Sequence, residues 1–417
     1  MKQQNNRITV FEHEIVRFDR GENRISKAQF EALETYYGNG VPYFSLVHKG
    51  IKFCEYVGVI QVGQTIIEVL PKADKNPNSE AEQTKWRDIL IDMLQTIGVF
   101  EVKSTSQSNL QLKSNSILDL YFALFIKEVT FLLHGGLVKK YRRIEQNSNA
   151  LKGSLIFGKH IQQNLTHQER FYVQHTHYDT QHTLHQILYK TLKLLKRINT
   201  NSAIHSQIGA LLLNFPEMPD VKVSAATFEK INFDRKTQVY QKAIEIAKML
   251  LLQYHPDLSA GKNDVLALMF DMNLLWEQFV YVSLKKQFGK EHKFYAQSRQ
   301  LFWKSENRSL SINPDIVINP KTDNCIVLDT KWKNLDGTKP SADDLRQMYV
   351  YGQYYGAKKV ALVYPSNQNA YFKGDFAKQP KEMTVKECGL LAVGFEYVKE
   401  TKKAKFEFTL KPLGICE

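Results

Sequence analysis

The amino-acid sequence predicts a multidomain α/β protein, and three observations carry that prediction. Residues 1 to about 75 break into short apolar runs separated by turns at Gly38-Asn39-Gly40 and at Gly63, the pattern of a β-rich region. Residues from about 84 to 262 hold long stretches with apolar side chains at helical spacing and read as a mainly helical connector. The remainder follows the order helix, three strands, helix, strand, an αβββαβ core. The divisions are placed at 1–78, 79–262 and 263–417.

Each element has a local reason. Tyr56 to Ile60 and Ile66 to Leu70 are strand-like runs joined through Gly63, and the polar stretch Lys72 to Gln83 reads as a linker or loop. In the middle region Trp86 to Ile97, Ile117 to His134, Thr183 to Ile198 and Asp234 to Tyr254 have helical periodicity, with a break at Phe215-Pro216-Glu217-Met218-Pro219-Asp220. Asp264 to Phe288 carries Leu266, Leu268, Phe270, Leu274, Leu275, Phe279 and Val282 at near-helical spacing, with Asn263 as N-cap and Gly289 as stop. A weaker strand follows near Phe294 to Leu301. Ile312 to Ile318 alternates apolar and polar residues around Asp315, Asn319 to Asn324 makes a turn, and Cys325 to Lys331 is apolar until its end. Ser341-Ala342-Asp343-Asp344 resembles a capping box with Asp in place of Glu and opens a helix to Gly356. Lys359 to Tyr364 is the next strand, and Leu390 to Val398 and Lys405 to Leu410 read as further strands.

The chemistry lies in the hairpin of that last region. Folding Ile312 to Ile318 against Cys325 to Lys331 brings Asp315 beside Asp329, and Lys331, two residues on, shares the face of Asp329. Two converging carboxylates repel unless a cation sits between them, and hard oxygen ligands with an open water shell suit Mg²⁺ or Mn²⁺. Such an ion lowers the pKa of a bound water, orients it for in-line attack on phosphorus and stabilises the charge that develops on the phosphate. Lys331 would position or help deprotonate that water. An Asp-x-Lys tripeptide alone is equally an exposed strand end with a surface ion pair, so the surroundings decide. Gln347 and Tyr351, four apart, share a face of the following helix.

Pro314-Asp315, Asp329-Thr330-Lys331 and Gln347-x-x-x-Tyr351, in that order of elements, resemble the PD-(D/E)xK nuclease superfamily and its RecB-like branch. The resemblance implies a restriction-endonuclease-like core, Asp315 and Asp329 as metal ligands, and Lys331 as the catalytic lysine. It also implies that Glu277, in Trp276-Glu277-Gln278-Phe279, is aimed at the metal, and that Gln347 and Tyr351 support the site or contact the DNA backbone. Tyr56 to Lys72, Gly136-Leu137 with Tyr141, Leu151 to Leu155 and Asp179 ahead of a long helix are similar to McrC, the nuclease subunit of modified-cytosine-dependent McrBC restriction systems. That likeness, from about residue 50 to about 365, implies an Mg²⁺-dependent endodeoxyribonuclease acting on double-stranded DNA. It implies docking on a hexameric AAA+ GTPase, McrB, whose hydrolysis it stimulates, insertion of the N-terminal β-rich region into the ring's pore, and meeting of two assemblies for double-strand cleavage. The alternatives are a non-catalytic activator or scaffold for the GTPase and a stand-alone RecB-like repair nuclease.

Composition is compatible with this. With 56 Lys and Arg against 43 Asp and Glu the net charge is +13, which favours a polyanionic partner. No Gly-x-x-x-x-Gly-Lys-Ser/Thr stretch occurs, so no nucleotide is expected on this chain. Cys54, Cys325, Cys388 and Cys416 are widely spaced, against a zinc ribbon or a disulfide scaffold. No run approaches a membrane span and no signal core opens the chain, so the cytoplasm is the expected home. Two further clusters stand out. Lys139-Lys140-Tyr141-Arg142-Arg143 would grip phosphates or sit at a solvated helix end, where cations favour exposed carbonyls. His175, His177, Asp179, His182 and His185 could hold zinc, although Asp179 or Thr180 is better explained as the cap of the next helix.

Overall fold

The short apolar runs near the N-terminus pair into sheets, and the periodic middle stretches coil. The structure is a computed structural model that describes residues 7–21, 23–71, 80–98, 117–255, 264–333, 339–366, 368–377, 387–398, 403–406, 408 and 410–413. It forms two compact units, Met1–Lys113 together with Met269–Glu417, and Ser114–Leu268.

The N-terminal part of the first unit contains β1 (Arg7–Phe11), β2 (Ile15–Arg17), α1 (Lys27–Tyr37), β3 (Phe44–Val47), β4 (Gly50–Phe53), β5 (Tyr56–Val62), β6 (Thr65–Leu70) and α2 (Glu80–Thr96). The hairpin β5–β6 turns at Gly63, whose φ of 58° lies in the left-handed region. β1 adds to β6 in parallel. Helix α1 stands in the β-rich region, where the sequence suggests only short strand-like runs and turns. Ser26 and Gln29 open it with a reciprocal capping box, and only Leu33 and Tyr36 of it are buried, too few to announce a helix by periodicity. The fully buried Glu68 of β6 accepts from Arg7 Nη2 at 2.5 Å and from Arg87 Nε of α2 at 2.8 Å, which ties both elements to the strand.

The second unit contains α3 (Ile117–His134), β7 (Lys140–Ser148), β8 (Ser154–Leu155), α4 (Phe157–Asn164), β9 (Phe171–Asp179), α5 (Thr183–Ile198), α6 (Ser202–Asn214), α7 (Ala225–Glu229), α8 (Gln241–Leu252) and β10 (Tyr254–His255). Helices α3 and α5 have the bounds the sequence predicts. The region is not helical throughout, because β7, β9 and β8 form an antiparallel sheet. The Lys139–Arg143 cluster lies at the start of β7 and not at a helix end. The stretch expected to be one helix from Asp234 is a loop and a 3-10 turn before α8. Asp234 Oδ1 accepts from the backbone N–H groups of Lys236 and Thr237, both at 2.9 Å, and holds the chain in a turn instead.

The chain returns to the first unit through β11 (Val265–Asp271), a strand where a helix from Asp264 is expected. Val265-Leu266-Ala267-Leu268 is apolar at every position, and such a run fits a buried strand as well as a helix face. The N-cap is therefore Asp271, accepting from Asn273 N at 2.9 Å and Leu274 N at 3.2 Å, and Asn263 lies outside the described residues. There follow α9 (Met272–Phe288), β12 (Phe294–Ala296), β13 (Gln300–Lys304), β14 (Ser309–Ile312), β15 (Ile316–Ile318), β16 (Ile326–Thr330), α10 (Ala342–Tyr355), β17 (Lys359–Ser366), β18 (Ala370–Phe372), β19 (Glu387–Val398) and β20 (Lys403–Phe406). The two single strands expected around 294–301 and 312–318 are each interrupted, first by Gln297 at φ 44° and then by Pro314-Asp315. Between the breaks the chain makes the separate hairpin β13–β14.

The main sheet runs β12-β15-β16-β17-β19-β18, with β20 on β19. β15–β16 is antiparallel, whereas β16–β17 and β17–β19 are parallel, so the C-terminal strand β19 extends this sheet. On one face Met348, Tyr351 and Tyr355 of α10 pack on Val317, Val327, Val360 and Leu362. Trp276 and Phe279 of α9 are fully buried, and Trp276 donates from Nε1 to Val363 O at 3.3 Å. Ser341 caps α10 through Asp344 N, and Gly356 ends it in the left-handed region at φ 63°. Among the described residues no helix is long and apolar enough to cross a membrane.

Candidate active site

The register of β15 on β16 pairs Ile316 with Leu328, which sets Asp315, one residue before β15, opposite Asp329. Pro314 is buried and offers no N–H, so β15 cannot begin earlier and the Asp315 carboxylate stands at the strand end. Thr330 fixes it there: Asp315 Oδ2 accepts from Thr330 N at 2.6 Å and from Thr330 Oγ1 at 2.7 Å. Asp329 is 2% exposed. Its Oδ2 lies 2.7 Å from Lys331 Nζ, yet it makes no hydrogen bond of normal geometry.

Lys331 begins a relay into α10. Its Nζ donates to Gln347 Oε1 at 3.2 Å, Gln347 Nε2 donates to the Tyr351 hydroxyl at 2.8 Å, and that hydroxyl donates to Asn313 O at 3.4 Å. One turn of helix thereby braces both the lysine and the loop that carries Asp315. Glu277 stands on α9, where Gln297 Nε2 donates to its Oε1 at 2.9 Å while Gln297 N donates to Asp315 O at 2.9 Å. All six residues expected at the site belong to this neighbourhood. The sequence reading missed Thr330 as the clamp on Asp315 and Gln297 as the link between Asp315 and Glu277. Thr330 lies inside the Asp329-Thr330-Lys331 tripeptide, but nothing in the sequence signals Gln297, whose role follows from its left-handed backbone.

The electrostatics are those of crowded acids. Burial pushes the Asp329 carboxyl up to about 6, reinforced by the charge of Asp315 and opposed by Lys331. Burial likewise pushes Glu277 up to about 7, with Asp315 and Asp329 adding to the rise and the Gln297 hydrogen bond working against it. Burial draws Lys331 down, but the Asp329 carboxylate outweighs it and keeps the side chain an ammonium. Asp344, at the start of α10, is raised by burial yet held below the ordinary carboxylate range by Lys333, at 2.5 Å, and by Ser341.

Among the described residues no three His, Cys, Asp or Glu side chains form a ready metal cage. The donor set here is instead a pair of carboxylates, one nearly buried oxygen without a regular hydrogen bond, and a third carboxyl within electrostatic reach. That set fits a hard divalent cation, which takes one or two carboxylates and keeps positions for water and phosphate. It offers no soft ligand for zinc or copper.

The histidine cluster is engaged otherwise. His182 Nε2 lies 2.8 Å from Val138 O, and His185, fully buried, sits between Thr180 O at 2.5 Å and the Tyr240 hydroxyl at 3.0 Å. Burial, with His182 beside it, pushes His185 down to about 4. His182 itself occupies the N-cap of α5, without a side-chain cap bond. Asp179, expected as a cap, accepts from Gln181 N at 2.9 Å and pairs with Arg142 and His177, each at 2.8 Å.

A chain of the half-complex from the tetradecameric assembly of Thermococcus gammatolerans McrB AAA+ hexamers with bound McrC has a similar fold. Its TM-score is 0.68 at 20% identity, over 94% of this chain and 95% of that one. A chain of the Thermococcus gammatolerans McrBC complex aligns with a TM-score of 0.49 at 19% identity, over 68% of this chain and 88% of that one. No curated protein sequence matches. The model of the McrBC 5-methylcytosine restriction system component family matches residues 51–365, which cover both the β5–β6 hairpin and the strands bearing Asp315 and Asp329. The chain belongs to the family of McrBC 5-methylcytosine restriction system components.

Proposed function

We propose that this chain is the metal-dependent DNA endonuclease subunit of its restriction system, hydrolysing phosphodiester bonds in DNA that contains modified cytosine. It works with a hexameric AAA+ GTPase whose GTP hydrolysis it stimulates, and two such complexes meet for double-strand cleavage. The observation that carries the nuclease reading is the opposed pair Asp315 and Asp329 at the β15–β16 edge, with the Lys331 ammonium on the same face as Asp329. The similar fold in an assembly of McrB AAA+ hexamers with bound McrC supports the partner.

Asp315 and Asp329 would hold Mg²⁺ or Mn²⁺, with Glu277 completing the site. When bound, the ion supplies positive charge to the scissile phosphate and acidifies a water. Thr330 keeps the Asp315 carboxylate at a fixed angle. Lys331 is ion-paired with Asp329 and donates one hydrogen bond to Gln347, which leaves its ammonium with donor capacity for the attacking water or a phosphate oxygen. Burial and the charges of Asp315 and Asp329 push the Glu277 carboxyl up to about 7, so a cation placed among the three carboxyls would favour its ionised form as a ligand. A scaffold that only activated a GTPase would gain nothing from two aspartates that destabilise one another.

Replacement of Asp329 by Ala should abolish Mg²⁺-dependent cleavage of modified DNA while leaving binding and stimulation of the GTPase within about twofold, since the latter use other surfaces. Loss of all three together in a folded variant would overturn this division of labour.

A further inference from the structure

The hairpin β13–β14 is inserted in the chain between β12 and β15, which pair directly in the main sheet, and forms a two-stranded sheet of its own. Its apolar side chains face water: Leu301, Phe302, Trp303 and Leu310 are 56%, 42%, 48% and 61% exposed. Trp303 pairs with Leu310 in the register, so the two stand side by side on one face. A bulge between Leu301 and Trp303 frees Phe302 to turn onto the Tyr354 ring of α10, 5.2 Å away. The Tyr354 hydroxyl donates to Phe302 O at 3.4 Å, and the neighbouring Tyr355 hydroxyl donates to Ser298 O. The root of the hairpin is therefore bolted to the same helix that carries Gln347 and Tyr351, while its free face is not.

Arg299, Lys304 and Arg308 flank the apolar pair. All three are exposed and make no ion pair among the described residues, and the hairpin holds one acid, Glu306. The chain leaves β14 at Ile312 and reaches Asp315 three residues later. A cationic, aromatic two-stranded ribbon at this position matches one ligand: a two-stranded ribbon fits the major groove of B-DNA, its cations meet phosphates, and an exposed aromatic and aliphatic pair meets bases. A protein partner or a second copy gives no reason for three unpaired cations around the apolar face.

We infer that β13–β14 is a duplex-DNA grip that positions the scissile phosphate over the Asp315 and Asp329 pair, with Trp303 and Leu310 against the bases and Arg299, Lys304 and Arg308 on the backbone. This rests on the nuclease reading above. Trp303 is a positioning residue, since it lies outside the carboxylate cluster.

The test uses the full chain with Asp329→Asn, so that DNA is not cut, and a short fluorescein-labelled duplex followed by anisotropy over a salt series. Adding Trp303→Ala and Leu310→Ala should weaken binding roughly tenfold to a hundredfold at fixed salt, from the apolar area no longer buried against the groove. Adding Arg299→Ala, Lys304→Ala and Arg308→Ala instead should lower the slope of log affinity against log salt by about 2 to 3, at about 0.9 for each phosphate no longer neutralised. The five hairpin side chains substituted are exposed, and circular dichroism with sedimentation checks that the parent and the variants fold. Binding unchanged in both variants would overturn the assignment, as would loss of self-association with DNA binding intact, which would make the hairpin an interface between copies. Failure of the Asp329→Asn parent itself to bind duplex would sink the nuclease reading together with the grip.

Discussion

Asp329→Asn should make the protein more stable while making it inactive. The Asp329 carboxyl, 2% exposed and facing Asp315, is pushed from 3.8 up to about 6. That rise corresponds to about 3 kcal/mol by which the ionised group weakens the folded state at neutral pH. The Asn variant removes that penalty but leaves Lys331 half-buried without its carboxylate, which returns part of it, so a net gain of about 1–2 kcal/mol is expected. For a unit of this size that is a rise in melting temperature of about 3–6 °C. A raised carboxyl favours the folded state when protonated, so its contribution is fully present below pH 3.8 and is lost as pH rises through about 6. The unsubstituted chain should therefore stabilise between pH 7.5 and pH 5, and the variant should show less of this. On the proposed reading Mg²⁺ would relieve the same repulsion, so calorimetry at pH 7.5 should show a metal-dependent upward shift that Asp329→Asn abolishes. A variant that melts lower than the parent, or that responds equally to Mg²⁺, would refute the placement of two ionised carboxylates against one another.

Three further outcomes are expected. Glu277→Gln should keep the fold and raise the Mg²⁺ concentration needed for half-maximal cleavage by about tenfold, because the third carboxyl no longer attracts the ion; a metal titration of activity checks it. In the second unit, His185 is pushed from 6.5 down to about 4, so stability present above pH 6.5 is lost as pH falls through that window, by about 3 kcal/mol in all. An acid titration of the His185→Phe variant should lose this dependence at the cost of the Thr180 and Tyr240 contacts. Glu68→Ala should destabilise the first unit by about 3–5 kcal/mol, since it leaves Arg7 and Arg87 unpaired and partly buried; urea unfolding reads the change.

The chemistry-bearing hairpin is legible in the sequence because period-2 alternation and a polar turn fix its register, and with it the opposition of Asp315 and Asp329. The relay from Lys331 through Gln347 to Tyr351 follows from helical spacing. What escapes depends on contacts remote in sequence or on ambiguous apolar runs. Val265 to Phe270 is hydrophobic at every position, so periodicity cannot separate a strand from a helix, and the cap expected at Asn263 belongs instead to Asp271. The hairpin β13–β14 is hidden because its apolar residues face outward, contrary to the burial that sequence patterns encode. β7 carries mostly polar and charged residues, so it does not announce itself as a strand, although its pairing with β9 is extensive.

The first unit takes its two halves from opposite sides of a long insertion, and the Trp332 indole donates to Glu12, 320 residues away along the chain, at 2.7 Å. On the ribosome the early strands must wait for late ones. The parallel strand β17 that receives Asp329 on its flank is translated after nearly everything else, and β19 later still. Closing such distant loops makes assembly slow. The acidic pair is local by contrast, since Asp315 and Asp329 face each other across one short hairpin, so the carboxylates can meet before the two halves of the surrounding unit are joined.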